Sequence, residues 1–405
     1  MLKAATGYSL HPDSRSAGRE ASEMAARGLH DVKIAFVYCG GDHEAAALME
    51  GAASALPGVP LIGCTSCGGV ILPCGFIGGE RFVGLLALAD PDLEVGVGSA
   101  QYDRRALDED SQDFGLGQLY FDDNPFKTSR TAALRAMEKA GRRRPPSFFF
   151  MAGLPGMEDL HLAGLAPVIG RAPFAGVSAA DSLLGTNWAL LTDDGPLYDG
   201  LALAFFYGGW VPATRYACLY RSVGSYGPVT RMIGQRRLAE IDGRPALRVI
   251  AEKNQYPREL MRGGDLSLAT PLMPLGVMNR SGRIIACHPQ YGNADDSLYL
   301  GSPLFEGQNL MRLEATVDDI IEGCGRELAA LRRDLPGQAG AFHLALNYTW
   351  RIAAGERFDE LVAGLQAAAG GVPFIGALTN GEHGFIDDGG NACGGPMMSC
   401  TGFWS

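Results

Sequence analysis

The 405-residue chain has no apolar run approaching the ~18 residues that cross a bilayer. Its longest apolar stretches, 82–89 and 201–207, have the length of buried strands, so no membrane span is expected. Positive charge is also scarce, with 34 Lys and Arg against 45 Asp and Glu and a net charge of −11. A surface of that sign repels a phosphate backbone, so nucleic acid is not an expected partner. The one basic cluster, Arg142-Arg143-Arg144 before Pro145-Pro146, reads as a helix C-terminus set against the helix dipole. The first residues lack the apolar centre of a secretory signal. A cytoplasmic protein is expected, and its nine cysteines then do not read as a disulfide framework. Catalytic signatures are missing as well. There is no G-x-x-x-x-G-K-[ST] loop, no G-x-G-x-x-G opening a helix after a strand, no G-x-S-x-G elbow and no H-E-x-x-H.

What the chain does have is glycine, 56 residues of it, and an apolar fraction of 47%. Many turns and close backbone approaches are expected around ordinary packed cores. The length calls for two domains or three. Three stretches resemble one another: Val59-Pro60-Leu61-Ile62-Gly63-Cys64-Thr65-Ser66, Ala172-Pro173-Phe174-Ala175-Gly176-Val177-Ser178-Ala179 and Val372-Pro373-Phe374-Ile375-Gly376-Ala377-Leu378-Thr379. Each has a Pro, two apolar residues, a Gly and then small or hydroxylated residues. Short apolar runs at 34–38, 148–151 and 342–346 precede them and read as strands.

A helix is predicted between run and Pro in the first copy, with Asp42 as N-cap, and in the third copy. The middle copy, 156–171, is interrupted by Gly and Pro and carries a poorer helical pattern. Strand–helix–strand units imply crossovers and neighbouring parallel strands. The loops at 64–69, 178–183 and 378–384 then fall at strand carboxyl ends, where open α/β sheets bind ligands. A boundary is expected near 208–225, dividing the chain into 1–212 and 213–405. Farther on, Thr316 with Asp319 signals a capped helix that starts at Val317.

In order along the chain, several segments resemble the FIST family, which pairs an N-terminal with a C-terminal FIST domain. They are Gly58-Val59-Pro60-Leu61-Ile62-Gly63-Cys64, Tyr198-Asp199-Gly200-Leu201-Ala202, Glu240-Ile241-Asp242-Gly243-Arg244-Pro245-Ala246-Leu247, Pro274-Leu275-Gly276-Val277, Phe305-Glu306-Gly307 and Phe374-Ile375-Gly376 followed by Asn380-Gly381-Glu382. The resemblance implies an α/β fold of repeated strand–helix–strand units in two FIST-type domains with mixed sheets. It implies sensory input and a small ligand such as an amino acid. One branch similar in layout is a haem-based nitric-oxide sensor acting on a histidine kinase. The chain has no room for a fused kinase, so a separate signalling partner is expected.

The sequence departs from the family where an Arg is usual after the Pro-Leu-Gly-Val pair; here the chain reads Ile284-Ile285-Ala286-Cys287-His288-Pro289. That departure brings a metal or haem into consideration. Cys64 and Cys67 have C-x-x-C spacing with Cys74 close behind, a thiolate set suited to zinc, copper or an Fe–S cluster. Further ligands would come from Cys287, His288, His383, Cys393 or Cys400, and Cys287 or His288 could bind haem axially. A cysteine-ligated metalloprotein or redox enzyme is therefore the alternative to a sensor. The plainer alternatives are buried cysteines filling cores and a turn histidine. Glu158 and His161 share the i, i+3 spacing of metal–carboxylate bundles, a weak signal without a second copy. For an organic ligand the candidates are Thr379, Asn380, Glu382 and His383 in the third loop, with Ser178 and Asp181 in the second.

Overall fold

The computed structural model describes residues 1–102, 124–181, 187–267, 269–386 and 390–405. Three units follow one plan of strand, helix, strand, helix, strand, hairpin and strand. The first runs β1 (Lys3–Ser9), α1 (Ser14–Ala26), β2 (Val32–Cys39), α2 (Ala45–Ala55), β3 (Leu61–Thr65), hairpin β4 (Gly69–Leu72) and β5 (Gly75–Gly78), then β6 (Val83–Ala89). The second runs β7 (Glu94–Ala100), α3 (Asn124–Lys139), β8 (Phe148–Gly153), α4 (Glu158–Ile169), β9 (Phe174–Ser178), hairpin β10 (Leu190–Thr192) and β11 (Gly195–Leu197), then β12 (Leu201–Tyr207).

The third unit opens with β13 (Ala213–Ala217) and is then interrupted by an insertion. The insertion comprises β14 (Arg221–Ile233), β15 (Arg237–Ile241), β16 (Arg244–Pro245), α5 (Ala246–Asn254), α6 (Arg258–Met261), β17 (Leu275–Met278), β18 (Ile284–Cys287), β19 (Pro289–Gly292), β20 (Leu298–Leu300) and β21 (Asn309–Glu314). The plan then resumes with α7 (Val317–Asp334), β22 (Ala339–Asn347), α8 (Tyr348–Ala354), α9 (Phe358–Ala369) and β23 (Phe374–Thr379). Hairpin β24 (Gly381–Ile386) and β25 (Gly390–Gly394) and strand β26 (Met398–Trp404) close it. Residue 213 opens the third unit, six residues after β12 closes the second.

Each unit makes the same four-stranded order: β1-β6-β2-β3, β7-β12-β8-β9 and β13-β26-β22-β23. The predicted parallel pairs are present as β2/β3, β8/β9 and β22/β23. The hairpins leave their own units. β10–β11 extends β3, β24–β25 extends β9, and β4–β5 extends β23, so the exchange closes a ring. The inserted strands form their own eight-stranded sheet.

Period-two alternation sorts the side chains. On β2, Ile34, Phe36 and Tyr38 enter a core shared by all three units, while Ala35, Val37 and Cys39 meet α1 and α2. At one equivalent position in each unit, Phe36, Phe150 and His343 meet at the centre. Their ring centroids lie 5.1, 4.9 and 4.8 Å apart. The crossovers into the hairpins are tied cyclically by three backbone bonds: Cys67 N–H to Leu378 O (2.9 Å), Ala180 N–H to Thr65 O (3.0 Å) and Asn380 N–H to Ser178 O (3.2 Å).

Local expectations are met unevenly. The Thr316/Asp319 capping box forms as read. The cap of α2 is Glu44 rather than Asp42, its carboxylate accepting from the Ala46 and Ala47 amides. The middle copy does form a helix, α4, despite Pro167 inside it. The third loop is mostly strand, because pairing of β24 with β9 satisfies its backbone. Of the loop expected at 178–183, Ser182 and Leu183 lie outside the described residues.

Candidate functional site

A cavity of about 20 Å³ lies where the second unit, the third unit and the inserted sheet meet. It has room for one water-sized group. Glu158 starts α4 at the β8–α4 turn, where a carboxylate suits the helix N-terminus. Ser178 ends β9 and donates to Glu158 Oε1 at 2.5 Å. Arg236, in the β14–β15 turn of the insertion, donates to Glu158 Oε2 at 3.0 Å, to Asp159 Oδ1 at 2.5 Å and to the Gly301 carbonyl. His383 reaches the site from β24, across from Gly176, where a Cβ would lie only 3.2 Å from the imidazole. Its Nε2 is 2.9 Å from Ser178 Oγ.

The proton positions follow from this geometry. Burial alone would raise Glu158, but the adjacent Arg236 guanidinium holds it below the usual carboxylate range, so it accepts only. The single Ser178 hydrogen goes to Glu158. His383 therefore donates from Nε2 to Ser178, which leaves Nδ1 as a lone-pair acceptor. That Nδ1 is buried without a hydrogen-bond partner among the described residues, and so is Nε2 of His288, which also lines the cavity. Burial pushes both imidazoles down to about 4, so both are neutral near pH 7. Glu158, Asp159 and Arg236 together carry one negative charge in excess.

Glu382 lies just beneath. Its carboxyl is fully buried and accepts from Thr379 Oγ1 (2.8 Å), the Met397 amide (2.9 Å) and Asn347 Nδ2 (3.2 Å). Burial pushes it up to about 8 against those bonds, so it is mostly protonated at neutral pH. A Cβ on Gly395, a cavity residue, would come within 3.2 Å of Glu382 Oε2. Gly395 thus stands between Glu382 and the cavity.

Of the candidates read from the sequence, Ser178, Asn380 and His383 come together at the cavity, with His288 and Cys393. Thr379 and Glu382 form the buried set below. Asp181 is elsewhere, accepting from the Asn187 amide at 2.7 Å. The cysteines do not converge. Cys64 lies in the central core and Cys67 in the core of the third unit, so the C-x-x-C pair is divided between two cores. Cys74 is exposed at the β4–β5 turn, Cys287 packs inside the inserted sheet, and Cys400 lies beside Cys324. Burial keeps Cys67 and Cys287 protonated, at about 11 and about 12. Among the described residues no three His, Cys, Asp or Glu are grouped to hold a metal.

Sequence reading missed Arg236 and the cavity residues Gln290, Tyr299 and Ser302. Glu158 and His161 do mark the site, though not as metal ligands. His161 is held between Ser129 Oγ (2.8 Å) and Tyr102 Oη (2.7 Å).

The FIST N domain model matches residues 33–244 and the FIST C domain model matches 254–384. The chain belongs to the FIST family. FIST domains are sensory domains of signal transduction, and the two matches together cover most of the chain. The FIST N match begins in β2, covers the rest of the first unit and all of the second, with Glu158 and Ser178, and runs on through Arg236. The FIST C match supplies His288 and His383. No curated protein matches the chain. Among solved structures it is similar to cyanuric acid hydrolase from A. caulinodans, with 12% identity, full coverage of both chains and a TM-score of 0.31. It is also similar to PurLQS from Thermotoga maritima, with 13% identity, 99% of this chain and 72% of that chain covered, and a TM-score of 0.22. At these scores neither likeness carries a functional argument. No helix among the described residues is long and apolar enough to cross a membrane.

Proposed function

We propose that this FIST protein senses a small molecule, in the first place an amino-acid-like one, of which only the ammonium or similar donor head enters the junction cavity. A separate partner, of the histidine-kinase class that the family resemblance implies, would read the signal. The observation that carries this is the junction cavity. It is lined by His288 and His383, each with one buried ring nitrogen that has no hydrogen-bond partner among the described residues, beside a Glu158–Asp159–Arg236 group with one negative charge in excess. A buried acceptor without a donor costs about 1–3 kcal/mol, so a ligand that supplies donors is favoured there.

Two of the three bodies around the cavity are joined through Arg236. A ligand head competing for Glu158 would loosen that ion pair and shift how the inserted sheet sits on the second unit. Signalling requires that the ligand bind the two arrangements with different affinity. The test is a calorimetric screen of the amino acids and small amines against the intact protein, repeated with Glu158→Gln. At least one ammonium compound should bind, and more weakly by about tenfold or more in the variant. No binding by any of them, or equal binding by the variant, overturns the reading.

A further inference from the structure

A second, separate group of charges lies in the insertion. Asp296 sits in the turn between β19 and β20 with a left-handed backbone, φ 65°. The turn is fixed by its own bonds: Asp296 N–H to Asn293 O (3.1 Å), Asn293 N–H to Ser297 O (2.8 Å) and Leu247 N–H to Asp296 O (2.9 Å). The Asp296 side chain is only 6% exposed, and three arginines close on it. Arg248 of α5 donates from Nε to Oδ2 at 3.0 Å. Arg258 of α6 grips both oxygens, with Nε to Oδ1 at 3.0 Å and Nη2 to Oδ2. Arg262, just past α6, brings Nε to 3.7 Å from Oδ1 and anchors on the Ala294 carbonyl.

One carboxylate therefore faces three guanidinium groups, and two positive charges are left over. Neighbouring acids do not supply the balance. Glu252 is taken by Arg244 and Asp295 by Arg237. Glu259, exposed on α6, joins no ion pair among the described residues. Like charges held this close repel, and the arrangement is costly unless an anion joins it. Arg248 and Arg262 are each half exposed, and Arg248 meets Asp296 only through Nε, so its Nη donors remain for a ligand. Convergence on one point, instead of a stripe, suits a compact dianion, and guanidinium forks match the oxygens of a phosphoryl group. The setting adds to this, since the chain as a whole carries −11 while its inserted segment is richer in Lys and Arg than in Asp and Glu.

We infer that Arg248, Arg258 and Arg262, organised by Asp296, form a phosphoryl-binding site on the inserted sheet, distinct from the junction cavity. The phosphoryl group comes either from a small phosphate compound or from a phosphorylated side chain of a partner. Calorimetric titration of the full chain at low salt, with inorganic phosphate and with a phosphoserine peptide beside its unphosphorylated form, separates the two sources. Phosphate binding as well as the peptide marks the small compound, and a phosphopeptide binding about tenfold or more tightly marks the partner.

Arg248→Gln/Arg262→Gln keeps Arg258 on Asp296, and its melting temperature confirms that it folds. It should weaken binding at least about tenfold, whereas Arg280→Gln/Arg283→Gln, exposed at the β17–β18 turn, should not. No binding of either probe, undiminished binding by the first pair, or equal loss in both pairs overturns the site.

Discussion

Glu382 keeps its proton because no cation among the described residues stands by it and burial outweighs the three donors it meets. Its value in the folded protein, about 8, lies above the ordinary 4.5. Between those values the folded chain binds more protons than the unfolded chain, so this group's contribution to stability falls as pH rises through that window. Glu382→Gln removes the titration. Urea unfolding of wild type and variant at several pH values between about 5 and about 8 should show the wild type losing on the order of a few kcal/mol relative to the variant. Parallel curves would mean that the carboxyl does not titrate there. The sequence marks Glu382 as unusual, a carboxylate directly after the third repeat's glycine-rich strand end. Its seclusion behind Gly395 depends on how the third unit folds back, and no local pattern carries that.

The repeat glycines show how similar elements carry different loads. At Gly63 a Cβ would sit 1.7 Å from the Val37 carbonyl oxygen of the paired strand β2, which cannot move without breaking the parallel ladder. At the equivalent Gly376 the nearest atom is a Leu346 methyl at 3.2 Å, which can turn aside. Gly63→Ala should cost roughly 3 kcal/mol or leave the protein insoluble, and Gly376→Ala about 1 kcal/mol, measured by denaturant unfolding. Equal costs would mean that β2 and β3 separate easily.

At this scale much of the fold was open to sequence reading. The strands, the three parallel pairs and the α7 cap follow from apolar runs, Pro-to-Gly spacing and Thr316/Asp319. The helix α4 was obscured because Pro167 and its glycines blur the period, although its buried Leu162, Leu165 and Ile169 pack it in place. The third loop departs from its expectation because a Gly-rich polar stretch reads as a turn until a neighbouring strand edge pairs with it. Arg236 was invisible for a different reason. Of two adjacent arginines in one hairpin, one pairs with Asp295 at the surface and the other is buried against Glu158, and only the docking of the insertion distinguishes them.

Across the whole molecule the exchanged hairpins bind the units more tightly than a two-domain division suggests. A fragment of residues 1–212 would leave β4–β5 without its host β23 and would leave β9 with an open edge. Residues 213–405 would lack both complements. Expressed separately, each should be insoluble or fail to melt cooperatively, and expressed together they should co-purify as a one-to-one complex through a tag on either piece. A wild-type-like melt from 1–212 alone would show the exchange to be dispensable.

A ring of three alike parts also has an ambiguity, since similar hairpins and similar strand edges could be matched in the wrong rotation. The central trio resolves it. Two of its members are phenylalanines and the third is His343, whose Nε2 lies 2.6 Å from the hydroxyl of Tyr38, itself fully buried. The equivalents of Tyr38 in the other units are Ala152 and Ala345. A mismatched ring would strand an imidazole and a phenol in hydrocarbon, so this one bond works as a key cut for a single orientation of the lock.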